Sequence, residues 1–396
     1  MPDDASGGGV PPSLRPFAFA TAGEILFGRG RATEAPERIG RLGAHVLLVH
    51  GRRRQRAAWL IHALEAAGRE VTEIAATGEP DIEMLTAALA TARRARPDVV
   101  IGLGGGAAID LAKAVAGLAP APGDPLDHLE VVGKGAPLTA EPLPLVAIPT
   151  TAGTGAEVTR NAVIGMPDHR RKVSLRDRRL LPAVAIIDPA LTDGTPPAVT
   201  LASGLDALTQ VIEPWISSRA NALTDALVAP AIPAGIGALT RLMRGEDAGA
   251  RDTLAWVSLC GGLALANAGL GAVHGFAGVL GGRTGAAHGA ICGRLLPFVL
   301  AMNERIMRDD PARGRIREIR STIAAALAVD PDAALPALAD WSRRHGLPSL
   351  RDMGHHAVDD AALAQAALAA SSMKANPVMP GLADLMDVLA AERAAG

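Results

Sequence analysis

The sequence predicts an α/β N-terminal Rossmann-like domain over 17–195, an all-helical C-terminal domain over 196–396, and a flexible tail at 1–16. Three observations predict this. Short β-branched runs alternate with Ala/Leu-rich stretches through the first half, the pattern of a parallel sheet with helical crossovers. From about Pro196 those runs disappear, and long Ala/Leu segments broken by Gly and Pro take over. A length of 396 residues is enough for two hydrophobic cores of ordinary size.

The N-terminus, MPDDASGGGVPPSLRP, carries acids, glycines and prolines where a secretory signal would need a basic start and an apolar core, so it reads as a loose tail. Five runs then read as strands: HVLLVH at 45–50, EVTEIA at 70–75, DVVIGL at 98–103, LPLVAIP at 143–149 and VAIIDP at 184–189. Arg56 to Gly68 and Ile82 to Arg96 have helical spacing and lie between successive runs, as crossovers require. The longest apolar stretch, Leu254 to Val273, is interrupted by glycines and Asn267, which predicts a buried helix and no transmembrane segment.

Hydrophobic residues make up 49% of the chain and charged ones 20%, which excludes disorder. With 39 basic against 41 acidic residues the formal net charge is −2, so no overall field draws in nucleic acid or acidic lipid. Cys260 and Cys292 form no CxxC pair, which predicts neither a disulfide scaffold nor a thiolate zinc site and fits a reducing, cytoplasmic compartment.

Candidate chemistry sits in three places. The run DVVIGL leads into Gly104-Gly105-Gly106 and then a helical stretch, so glycines occupy a strand-to-helix turn where free N–H groups and a helix dipole can bind a pyrophosphate. Such a turn is equally a structural device. A polar loop, Thr150-Thr151-Ala152-Gly153-Thr154-Gly155-Ala156-Glu157, follows the next strand at the same sheet edge, and Thr154 and Glu157 also have capping-box spacing. After the first strand comes Gly51-Arg52-Arg53-Arg54, where an NAD site would commonly place an acid; the guanidinium groups suit a phosphate monoester and favour NADP over NAD. Third, Asp206 and Gln210 lie four apart on one helix face, and His274 and His288 are each flanked by glycine. A carboxylate and two imidazoles suit Zn2+ or Fe2+, while each His taken alone also fits a core position.

These residues resemble the iron-containing (group III) alcohol dehydrogenases, which share the dehydroquinate-synthase-like fold. The resemblance rests on GGGAAIDLAK at 104–113, AIPTTAGTGAEVT at 147–159, DPALT at 188–192, TLASGLDALTQVIEPWIS at 200–217 and the segments around His274 and His288. It implies that Gly104, Gly105, Gly106 and Asp110 bind the cofactor phosphates, that Thr150, Thr151 and Thr154 form a second cofactor loop, and that Lys172 lies near the ribose. It further implies a metal held by Asp206, Gln210, His274 and His288, with Asp206, His274 and His288 catalytic. The implied activity is NAD(P)-dependent reduction of small aldehydes or oxidation of alcohols, with hydride transfer to a metal-polarised carbonyl, in a homodimer.

Three positions depart from the family pattern. Gln210 stands where the family has a third His ligand, Gly278 where many members carry a further His, and Ala107 where a serine is common. Gln210 also points to two rival readings: a metal-independent, maleylacetate-reductase-like enzyme, and a nucleotide-binding protein without turnover. Trp215, Phe276 and Phe298 fit either a pocket border or the core.

Overall fold

The computed structural model describes residues 16–308 and 312–396. Apart from Pro16, the expected tail lies outside these residues. Strands β1 (Glu24–Phe27), β2 (His45–Gly51), β3 (Glu70–Ala76), β4 (Val99–Gly104), β5 (Leu145–Pro149), β6 (Asn161–Met166), β7 (Arg171–Arg176) and β8 (Val184–Ile187) form two sheets. The larger is a six-stranded parallel sheet in the order β1-β8-β5-β4-β2-β3, and β6 and β7 make a separate antiparallel pair.

The central strands read as continuous apolar runs because both of their faces are covered. Leu47, Val49 and Val100 face α3 (Ile82–Ala95) and α4 (Gly106–Leu118), whereas Val46, Leu48, Val99 and Ile101 face α1 (Ala35–Gly40) and α2 (Ala58–Ala66). The two expected crossovers appear as α2 and α3. The latter starts where the Asp81 carboxylate accepts from the Met84 N–H and stops where Arg96 turns left-handed at φ 50°.

Strands β1, β6 and β7 go beyond the sequence reading. The first is a four-residue edge strand, too short to stand out. The hairpin alternates in burial instead of running fully buried: Ala162, Ile164 and Met166 with Val173 and Leu175 face the core, and the residues between them, Val163 and Gly165 among them, are half-buried.

Register decides where function sits. Gly104 pairs with Pro149, and His50 with Leu103, so the carboxyl ends of β2, β4 and β5 are level and the loops after them emerge together.

The second half consists of α5 (Pro197–Ile216), α6 (Ala222–Leu242), α7 (Ala248–Ala268), α8 (Ala272–Thr284), α9 (His288–Ile306), α10 (Arg313–Leu327), α11 (Ala334–Arg344), α12 (Asp360–Leu368) and α13 (Leu382–Ala394). Helix α5 lies at the centre, packed on α6, α7 and α9. The apolar stretch at 254–273 proves to be the end of α7 and the start of α8, bent by 100° across Gly269 at φ 73°. Among the described residues, α6 is the helix that by itself is long and apolar enough to cross a membrane. It packs against α5, α7 and α10.

One tie within the first half and one close approach to the second fix the junction between them. The Asp188 carboxylate, from the DPALT segment, accepts from the N–H groups of Ala32 (2.9 Å) and Ala190 (3.0 Å), pinning the chain as it leaves β8. Gly155, at φ 56°, lies so near α7 that a Cβ there would sit 2.5 Å from the Gly262 Cα.

Gly155→Ala should therefore lower the urea midpoint by an amount equivalent to about 2–4 kcal/mol, because it combines backbone strain with a backbone clash. Gly194→Ala has the same sign of φ but open space around it and should cost about 1 kcal/mol. Equal effects in urea titrations of the two variants would refute the close-approach argument.

Candidate active site

Helix α5 carries Asp206, Gln210 and Glu213 along one stripe, and all three are buried. Polar side chains on a buried helix require partners. His274 stands in the first turn of α8 and His288 opens α9, across a connection of three residues. Gly289 lets α9 approach α5, since a Cβ at that position would meet the Ala202 carbonyl oxygen at 2.4 Å.

Asp206 Oδ1 lies 3.5 Å from His274 Nε2 and 3.8 Å from His288 Nε2. Cys292 Sγ, one turn into α9, lies 3.8 Å and 3.7 Å from the same two nitrogens. The four ligand atoms all fall within 4.8 Å of one another. Asp206 Oδ1 is buried without a hydrogen-bond partner among the described residues. An orphaned carboxylate oxygen facing two imidazole nitrogens is the donor set a divalent cation needs, so these residues fit a metal.

The structure corrects one expectation here: the lack of a CxxC pair argued against a thiolate metal site, yet the fold brings Cys292 into the cluster from a distant segment. Both cysteines are free, as expected.

Glu213 was not singled out in the sequence. Its Oε2 lies 2.6 Å from His274 Nδ1 and its Oε1 accepts from the Val273 N–H at 2.7 Å, so His274 presents Nε2 to the cluster. Its position seven residues after Asp206 was the available signal. The Gln210 amide nitrogen donates to the Gly153 carbonyl at 2.8 Å, and its amide oxygen is buried without a hydrogen-bond partner among the described residues.

Charge balance in the cluster follows from burial and proximity. Burial pushes the Asp206 carboxyl up, but His288 and His274 outweigh it and keep it below its ordinary value. Burial pushes His274 down, while Cys292, Asp206 and Glu213 push it up more strongly, leaving it well above the usual imidazole value. Burial raises the Cys292 thiol to about 12, against the downward pull of His274. His288 is lowered by burial, against the upward pull of Asp206; its side chain is 31% exposed, so water damps this shift.

The glycine-rich edge of the sheet is built by close packing. A Cβ at Gly104 would approach Ala108 Cβ to 2.7 Å and the Gly51 nitrogen to 3.3 Å; one at Gly105 would meet Thr151 Oγ1 at 3.3 Å, and one at Gly106 would meet Thr154 Oγ1 at 2.9 Å. Gly51, the glycine run and the threonine loop therefore form one cradle at the start of α4, whose N-cap Gly105 offers no side-chain acceptor to the first-turn N–H groups. No capping box forms at Thr154 and Glu157: Gly155 turns left-handed and only a short 3-10 turn follows, with Thr154 Oγ1 accepting from the Ala156 N–H at 3.3 Å.

Beneath the cradle, Lys113 is fully buried and donates to the Ala156 carbonyl (2.5 Å), Thr159 Oγ1 (2.8 Å) and the Asn161 carbonyl (3.2 Å). Burial lowers it to about 8 and raises Glu157 to about 7. Asp110 is raised to about 6 by burial, with Lys113 and the Val163 N–H pulling the other way. Its carboxyl thus faces Lys113 and β6, although part of the residue still reaches solvent.

Arg52 donates to the Thr77 carbonyl (3.0 and 2.7 Å) and Arg54 pairs with Glu73 (2.7 Å), whereas the Arg53 side chain is exposed and makes no hydrogen bond or ion pair among the described residues. Lys172, on β7, pairs with Glu79 and lies against α8, where a Cβ at Gly281 would meet its Nζ at 2.8 Å. It stands between the two ends of the site, and its charge is felt by both Asp110 and His288. Phe276 is core, Phe298 packs on that core, and Trp215 stacks under the Arg315 guanidinium at 4.0 Å.

A parallel sheet with a glycine-rich cradle at its carboxyl edge, joined to helices presenting a buried carboxylate–imidazole–thiol cluster, is the arrangement of a metal-assisted nicotinamide oxidoreductase. Residues 22–189 match the family "Iron-containing alcohol dehydrogenase", and residues 200–392 match "Fe-containing alcohol dehydrogenase family, C-terminal". Alcohol dehydrogenase 4 of Saccharomyces cerevisiae is 36% identical over 301 residues, covering 76% of this chain and 77% of that protein. Lactaldehyde reductase of Escherichia coli K12 is 36% identical over 322 residues, covering 78% and 80%. A crystal structure of 1,3-propanediol oxidoreductase superposes with a TM-score of 0.86 at 30% identity, covering 96% of this chain and 100% of that one. The chain belongs to the iron-containing alcohol dehydrogenase family. It is an NAD(P)-linked alcohol dehydrogenase/aldehyde reductase with a metal-binding catalytic site.

Glu157 supplies a pH-dependent prediction. Its folded-state value, about 7, lies above the ordinary 4.5, so the folded form holds the proton more tightly; that contribution is complete below about pH 4.5 and disappears as pH rises through about 7. Glu157→Gln should gain stability relative to the parent by on the order of 3 kcal/mol between those limits. A parent–variant difference that stays flat with pH in denaturant titrations would show that the carboxyl is not buried as described.

Proposed function

We propose that this protein reduces a small aldehyde with NADPH, and runs the reverse oxidation, at an Fe2+ or Zn2+ site held by Asp206, His274 and His288. The observation that carries the reading is the buried, unpartnered Asp206 Oδ1 beside two imidazole nitrogens. When bound, the ion supplies Lewis-acid polarisation of the substrate carbonyl, and the nicotinamide supplies the hydride.

The chain's own residues do the rest. The glycine run and the N–H groups at the start of α4 hold the pyrophosphate, Thr150, Thr151 and Thr154 close over it, and Lys172 sits on the ribose side. Gly51 leaves open space at the end of β2, where Arg52 and the exposed Arg53 offer positive charge to a 2′-phosphate. Glu213 fixes the tautomer and direction of His274. A Cβ at Gly278 would meet nothing within 4 Å, and the chain has no tyrosine, so the proton comes from water or from the ribose hydroxyls. The free, buried thiols suit a reducing cytoplasm, and the near-neutral charge suits small-molecule partners over nucleic acid or membrane. A homodimer completes the reading.

Elemental analysis of protein purified without chelator should find close to one iron or zinc per chain, with NADPH oxidation by aldehydes lost on chelation. Asp206→Asn should lower kcat/KM by roughly 1000-fold, the scale of several kcal/mol of lost polarisation. Metal-free protein that reduces maleylacetate in the presence of chelator would overturn the metal-dependent reading.

For the nucleotide, Arg52→Ala/Arg53→Ala should raise the NADPH KM about tenfold, the scale of one charge-assisted phosphate contact, and leave the NADH KM nearly unchanged. Parallel losses with both nucleotides in steady-state kinetics would count against a 2′-phosphate site.

A further inference from the structure

Four donors converge on the cluster, but the position four residues after Asp206 on α5 holds a neutral amide: its nitrogen donates to Gly153, and its oxygen, buried without a hydrogen-bond partner among the described residues, is a weaker donor than a thiolate. We infer that Cys292 supplies the fourth protein ligand, as a thiolate, so that the ion is held by one carboxylate, two imidazoles and one sulfur. The inference rests on the proposal that the site takes a metal.

Geometry favours sulfur. Tetrahedral coordination with metal–nitrogen bonds of about 2.0–2.1 Å and a metal–sulfur bond of about 2.3 Å places sulfur about 3.6 Å from each nitrogen. Cys292 Sγ stands at 3.8 Å from His274 Nε2 and 3.7 Å from His288 Nε2, so a cation can enter with little rearrangement. The backbone helps: His288 and Cys292 are one turn apart on α9, so both point to the same side, and Gly289 and Gly293 lie on the face where a Cβ would strike α5 at Ala202 and Leu205. The two glycines draw the ligand-bearing turn of α9 onto the turn of α5 that carries Asp206.

Chemistry favours it as well. A thiolate brings a formal charge and a soft donor, whereas an amide oxygen is neutral and weak for Fe2+ or Zn2+. Coordination breaks the S–H bond, the proton passes to water, and the electron pair left on sulfur forms the bond to the metal; no electron is transferred. The expected consequence is a preference for zinc or cobalt over hard, oxygen-seeking ions such as magnesium. A metal-stripped site should also leave Cys292 open to oxidation that bound metal prevents.

The test is cobalt loading of the metal-stripped full chain, read by absorbance and by titration of affinity. The parent and Cys260→Ser should each bind one Co2+ per chain and show a near-ultraviolet sulfur-to-cobalt charge-transfer band. Cys292→Ser should lack the band and bind Co2+ at least 100-fold more weakly, given that removing even an outer partner of a ligand costs about 10- to 100-fold. One Co2+ per parent chain without the band, or a band that survives Cys292→Ser and vanishes in Cys260→Ser, overturns the thiolate assignment and leaves the metal reading standing. Failure of the parent to bind Co2+ or Zn2+ overturns both. Because the parent and Cys260→Ser spectra decide whether a non-Cys260 sulfur binds, the outcome does not depend on Cys292→Ser folding well.

Discussion

The buried carboxylate of Asp206 organises the molecule. A charge removed from water on a central helix is tolerable only when opposite charge or strong donors meet it. Here His274 and His288 meet one oxygen from two other helices, and that requirement fits the way α9 packs on α5 and α8 packs on α9. The neighbouring glycines serve it: Gly289 and Gly293 allow α9 to come within backbone distance of α5. Glu213 extends it by holding His274 from the far side. Within one helix face, α5 thus carries the cluster carboxylate Asp206, an amide that reaches the other half of the protein, and a carboxylate that aims an imidazole.

That amide is one of several ties between the glycine-rich cradle and the carboxylate–imidazole cluster. Gln210 bonds Gly153 in the threonine loop, Gly155 touches Gly262 on α7, and Lys172 crosses from the hairpin to α8. Lys113 holds the same loop from below through three oxygens. Hydride transfer needs donor and acceptor held in a near-attack geometry. A loop held by Lys113 on one side and Gln210 on the other serves that alignment. The departure at Gln210 thereby acquires a role independent of coordination: it links the two ends of the site.

How much of this was legible depends on the range of each interaction. Parallel strands β2, β4 and β5 show in the sequence because both faces are buried, whereas the edge strand β1 and the hairpin β6–β7 are short or alternating and carry a weaker signal. Asp206 and Gln210 share a face by helical periodicity alone, which is local. Cys292 has the same spacing from His288, but cysteine is also a common core residue, so spacing could not distinguish a ligand from packing. Asp110 reads as part of the phosphate segment, and only the fold shows that its carboxyl feels the Lys113 charge and the Val163 N–H of β6.

The sequence by itself determined the α/β-then-helical order, the glycine cradle at a strand-to-helix turn and the family, because these depend on local backbone preferences and on ordered motifs. Tertiary structure alone decided which side chains meet. It placed Cys292 beside two imidazoles, turned the Gln210 nitrogen toward Gly153 and set Glu213 behind His274. The physical reason is that α5, α8 and α9 converge through packing between segments some 60 to 90 positions apart, and no local preference encodes such a distance.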